Sequence, residues 1–176
     1  MNLPTMVTTA RILLIPVFMV FLLVNIKYGA LLAAAVFILA AATDGLDGYL
    51  ARSRNEVTRL GILLDPLADK LLITAALVSL IQLDRVSAWV AMLILGREFA
   101  ITGLRLVAAA EGVVISASKL GKFKTISQIV AIVAVLINFP ANQALLWIAV
   151  AITVWSGIDY FAKAAAVFQD SRGSKN

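Results

Sequence analysis

The chain of 176 residues contains no cysteine and no histidine, and only 14% of its residues are charged. Without cysteine there are no disulfides, no thiolate nucleophile and no thiolate zinc site. Without histidine there is no imidazole base, which excludes serine–histidine hydrolase chemistry and phosphohistidine intermediates. Carboxylates, lysines, arginines and hard metal ions are left to carry any chemistry. A soluble domain of this size holds about 25% charged residues. Here 62% of the residues are hydrophobic and the mean hydropathy is +0.98, so the chain reads as an integral membrane protein. No polar linker divides it, which points to one polytopic domain over residues 1–170 and a disordered polar tail at 171–176. The net charge of +5 suits anchoring against anionic lipid and handling of phosphate-bearing substrates. Nucleic acid is not expected, because the basic residues form no single stripe.

Against this background four aspartates stand out. They fall as two pairs, Asp44 with Asp47 and Asp65 with Asp69. Steps of three and four residues put both members of a pair on one helix face, and Ala51 shares the face of Asp44 and Asp47. A buried carboxylate must be paired or hold a metal. Decorated helix ends are the plainer alternative, but glycines at 45, 48 and 61 make surface decoration a poor account. A shared divalent-cation site is the sharper reading.

The apolar runs predict six spanning helices. The first covers residues 12–24 and contains Pro16; a signal peptide is its alternative, although no small-residue cleavage site follows. The second starts at Gly29 and, too short in its apolar part to cross a bilayer alone, continues through the acids to about Arg52. The third begins near Gly61 or Leu64, with Pro66 in its first turn. The fourth covers about 87–110, the fifth about 122–139 and the sixth about 143–168. Six helices place both termini on one side, together with Arg11, Arg52, Arg54, Arg59, the lysines of 119–124, Arg172 and Lys175. Lys27 and Arg85 fall in opposite turns, so the positive-inside rule makes the acidic side cytoplasmic. The expected fold is therefore all-α and multi-pass, in the cell membrane, with the active site at the cytoplasmic mouth of the bundle.

Two further groups bear on chemistry. Arg97, Glu98 and Arg105 interrupt the fourth span, where charges normally face the bundle interior; a purely structural ion pair is the alternative. Lys119, Lys122 and Lys124 around Gly121 resemble an anion pocket, or else interfacial anchoring. Oxygen ligands on two helices suit magnesium or manganese, in a two-metal arrangement. A lipid phosphotransferase and a divalent-cation transporter both remain open on this inventory.

The run Asp44-Gly-Leu-Asp47-Gly48-Tyr-Leu-Ala51-Arg52, eight residues, Gly61, three residues, Asp65, three residues, Asp69 resembles the signature of the CDP-alcohol phosphotransferase family. The opening NLPTMVTTAR, GREF at 96–99, Arg105 and ASKLGKFKT at 117–125 resemble its branch that joins CDP-diacylglycerol to sn-glycerol 3-phosphate. Thr5 stands where that branch usually has a second asparagine. The resemblance implies a six-helix homodimer that transfers a phosphatidyl group and releases CMP. It implies that Asp44, Asp47, Asp65 and Asp69 bind the metal pair, with Asp69 as general base and Asp65 beside it as a catalytic group. Gly48, Ala51 and Gly61 would give the cytidine nucleotide room, and Arg52 would orient neighbouring charges. Arg97, Arg105, Lys119 and Lys122 are assigned as a group to the acceptor's phosphate. An inositol phosphate, phosphatidylglycerol or serine as acceptor is the alternative within the family.

Overall fold

The computed structural model describes residues 3–54, 59–112 and 119–173, and side chains over 6–43, 67–112 and 120–166. These form α1 (Leu3–Leu23), α2 (Gly29–Arg54), α3 (Arg59–Gln82), α4 (Ala88–Ala110), α5 (Lys119–Leu136) and α6 (Asn142–Gly173). The all-α expectation and the order of six helices hold. Two boundaries move by several residues. α1 begins at Leu3, so Arg11 lies inside the helix rather than before it. α6 runs on to Gly173, past the start of the expected polar tail. Alanine-rich sequence and the i,i+4 pair of Lys163 with Asp159 (2.7 Å) favour that continuation. Met6–Leu23 and Asn142–Ala166 are long and apolar enough to cross a membrane; the apolar part of α2, Gly29–Thr43, is shorter.

The turns explain why the helices stop where they do. α3 ends with Asp84 in the left-handed region (φ 54°), its N–H bonding to Ile81 O and that of Arg85 to Leu80 O. α5 ends the same way, with Asn138 at φ 54° and bonds from Asn138 to Val135 O and from Phe139 to Ala134 O. Both are Schellman caps, and Asp and Asn are the residues that tolerate this conformation best after glycine. At the start of α2, Gly29 passes so close to α1 that a Cβ there would lie 2.4 Å from Phe21 O.

The residues divide into two compact units, Met1–Ser87 with Ile132–Asn142, and Ala88–Ala131 with Gln143–Asn176. In the first, α1 packs on α2 and on α3, with Phe18 and Phe37 fully buried and their rings 5.8 Å apart. Ala33, Ala34, Ala40, Ala68 and Ala76 line that interior, small side chains that let helices approach. In the second, Gln128 donates to Thr153 Oγ1 (2.8 Å) between α5 and α6, and Thr153 donates on to Ala149 O. In both units large apolar side chains point outwards, among them Leu13, Leu39, Trp89, Leu106, Phe123 and Trp155. Such wide apolar surfaces mark a membrane-associated protein.

Candidate active site

The backbone puts Asp44 and Asp47 on α2, Asp65 and Asp69 on α3. Of these four side chains only that of Asp69 lies within the described residues. The side chains of Gly48, Ala51, Arg52, Gly61 and Lys119 lie outside them as well. Among the described residues no cluster of three or more acids forms a metal site.

Asp69 has a partner that the sequence reading did not place at the site. Arg11, on α1 and only 1% exposed, donates from Nη1 to Asp69 Oδ1 at 2.7 Å. Its Nε donates to Thr43 Oγ1 at 3.2 Å, and Thr43 donates to Ala40 O at 2.7 Å. The sequence alone places Arg11 among the flanking cations of the expected cytoplasmic side. Instead it is buried where α1, α2 and α3 meet. The Asp69 side chain keeps 45% of its surface exposed. The signal in the sequence was the position of Arg11 itself: a helix extended back to Leu3 carries it inward beside buried Thr8. A cavity of about 420 Å³, about three turns along α1 from Arg11, is lined by Leu22, Asn25, Tyr28, Leu83 and Arg85 and contains no signature residue.

The second unit holds the other charge cluster. Glu98 on α4 accepts from Arg97 Nη1 (3.2 Å) and from Lys124 Nζ on α5. Arg97 Nη2 donates to Ser156 Oγ on α6 at 2.8 Å. All three charged side chains are largely buried. Gly157 makes the room: a Cβ there would come within 3.1 Å of Arg97 Cγ. Arg97 Nε has no hydrogen-bond partner among the described residues, nor does the buried hydroxyl of Tyr160.

The interior placement expected for Arg97 and Glu98 is therefore found, but that of Arg105 is not. Arg105 is exposed, two turns further along α4, where no described neighbour covers it. Lys122 is exposed too, whereas Lys124 is 6% exposed. Two residues apart on a helix face nearly opposite ways, so only one of the pair reaches Glu98, and it is the one left out of the expected site.

The model of the CDP-alcohol phosphatidyltransferase family matches residues 1–155. The chain belongs to that family. It is 48% identical over 182 aligned positions, covering 92% of this chain and 94% of the relative, to the CDP-diacylglycerol–glycerol-3-phosphate 3-phosphatidyltransferase of Bacillus subtilis. Proteins of the same name from Escherichia coli (38% identical; 96% of this chain, 98% of the relative) and Rickettsia typhi (36%; 95% and 99%) are similar over nearly their whole lengths. The chain is thus an enzyme of the CDP-alcohol phosphatidyltransferase type, in a membrane.

Proposed function

We propose that this enzyme transfers the phosphatidyl group of CDP-diacylglycerol to sn-glycerol 3-phosphate, giving phosphatidylglycerophosphate and CMP. The observation that carries the reading is Asp69, the last acid of the signature, held by a buried arginine and still nearly half exposed. The shared name of full-length relatives supplies the substrate pair. In this reading Asp69 accepts the proton of the C1 hydroxyl, with Asp65 beside it. The hydroxyl oxygen forms its bond to the phosphorus that bears diacylglycerol. The anhydride bond to CMP breaks in line, with no covalent protein intermediate. The all-oxygen donor set of Asp44, Asp47, Asp65 and Asp69 fits two magnesium or manganese ions. Such ions, when bound, supply positive charge to the transferred and leaving phosphates. Gly48, Ala51 and Gly61 admit the nucleotide and Arg52 orients the neighbouring charges.

The acceptor's phosphate falls to Arg97, Arg105, Lys119 and Lys122. The paired cations Arg97 and Lys124 and the open positions of Arg105 and Lys122 support that assignment. The proposal includes a multi-pass membrane domain over 1–170 with six spanning helices, the signature acids and both termini on the cytoplasmic side, and a homodimer. The deciding experiment is CMP release by purified protein given CDP-diacylglycerol, magnesium and one alcohol at a time. Release with glycerol 3-phosphate alone is expected. Release with inositol phosphate, phosphatidylglycerol or serine instead would replace the acceptor. No release with any of them, together with metal flux in liposomes, would replace the enzyme by a transporter.

A further inference from the structure

A guanidinium that is 1% exposed is costly to bury and persists only where fixed partners satisfy it. Arg11 has a carboxylate on α3 and a hydroxyl on α2, and through them one side chain of α1 touches both helices of the signature. Thr43 immediately precedes Asp44, the first signature acid, and Asp69 is the last. The planar fork sets the angle between its two donors, so Thr43 and Asp69 are held in register with each other. The hydroxyl proton of Thr43 is committed to Ala40 O at 2.7 Å, which turns an oxygen lone pair towards Arg11 Nε. Burial is also one-sided: the arginine is enclosed, but the carboxylate is 45% exposed. An ion pair that served only to tie helices together would have no need to leave its acid half open.

We propose that Arg11 is a positioning residue for the phosphatidyl-transfer site, holding the Asp69 carboxylate through Oδ1 in the orientation that metal binding and proton transfer require. It acts through Asp69 and touches no substrate. The proposal rests on the reading of Asp69 above. Carboxylate ligands are themselves held by hydrogen bonds, and loss of such a partner lowers metal affinity or activity by roughly 10- to 100-fold.

The test uses full-length Arg11→Lys in detergent, which keeps the charge but cannot reach Thr43 and Asp69 at once. Manganese binding to the metal-free protein, followed by electron paramagnetic resonance, is expected to weaken by about 10- to 100-fold. At saturating metal kcat should fall by about 100-fold. KM for both substrates should stay within about threefold, as expected when the lost orientation matters in the transition state. Thr43→Val, which removes the Nε acceptor and the bond to Ala40 O but leaves Arg11 and Asp69 in place, should move manganese affinity and kcat the same way by about tenfold. It decides the matter if Arg11→Lys does not fold. Manganese affinity and kcat within about twofold of the parent in the folded variants would overturn the proposal. A parent protein that binds no manganese, or releases no CMP, would instead overturn the site reading and this proposal with it.

Discussion

Two buried arginines in this chain do the same local thing with opposite results. Arg11 bonds a carboxylate and a threonine hydroxyl; Arg97 bonds a carboxylate and a serine hydroxyl. At Asp69 the acid keeps 45% of its surface, whereas Glu98 keeps 16% and is claimed by a second cation, Lys124. One carboxylate is presented and the other is consumed. A second cation, Lys124, ties Glu98 into a contact of three helices, whereas Asp69 keeps nearly half of its surface open.

Asp69→Asn gives the sharpest test of that contrast. CMP release should fall by at least about 10³-fold, the scale of a lost positioned base. Full activity would remove Asp69 as base and with it the contrast. Glu98→Gln should show first in stability. It removes the carboxylate that both Arg97 and Lys124 bond, a loss of about 3 kcal/mol, read as a lowered thermal midpoint in detergent. An unchanged midpoint would mean that Glu98 is no less available than Asp69.

Smaller effects separate the cations of the second unit. Lys122→Ala should raise KM for glycerol 3-phosphate about tenfold, the size of one lost charge-assisted bond, and leave KM for the CDP-lipid nearly constant. An equal rise for both substrates would break the assignment of exposed Lys122 to the acceptor. The smallest change is expected for Gly157→Ala. Its new Cβ meets Arg97 Cγ at 3.1 Å, so Arg97 must shift by a few tenths of an ångström. A rise of about twofold in KM for glycerol 3-phosphate, with folding intact, is expected from so small a displacement of a charged contact. A fall in thermal midpoint with KM unmoved would make Arg97 a structural side chain only.

Much of this was legible without coordinates, and for definite reasons. Runs of apolar residues broken at Asn25, at the charged stretch 52–59, at Asp84, at Glu111–Gly112 and at Pro140 specify six helices, because backbone hydrogen bonds in an apolar medium have to be satisfied within each segment. Spacings of three and four assigned Asp44 and Asp47 to one face of α2, and Asp65 and Asp69 to one face of α3. Charge inside an apolar span correctly marked Arg97 and Glu98 as interior. α6 outruns its expected end because polarity alone does not stop a helix: its last residues are polar, yet they contain no proline and no glycine before Gly173.

The sequence by itself determined the class of the protein, the number of its helices and the identity of its acids, because these follow from composition and from periodicity within one segment. Which acid stays open was decided only when the helices packed. Helical register fixes what shares a face, but a face is buried only where another element covers it. Hence Lys124 is enclosed and Lys122, half a turn away, is not; Glu98 is enclosed and Arg105, two turns along the same face, is not. Arg11 and Asp69 lie 58 residues apart in the chain, and their pairing is a property of α1 lying against α2 and α3 that no spacing in the sequence encodes.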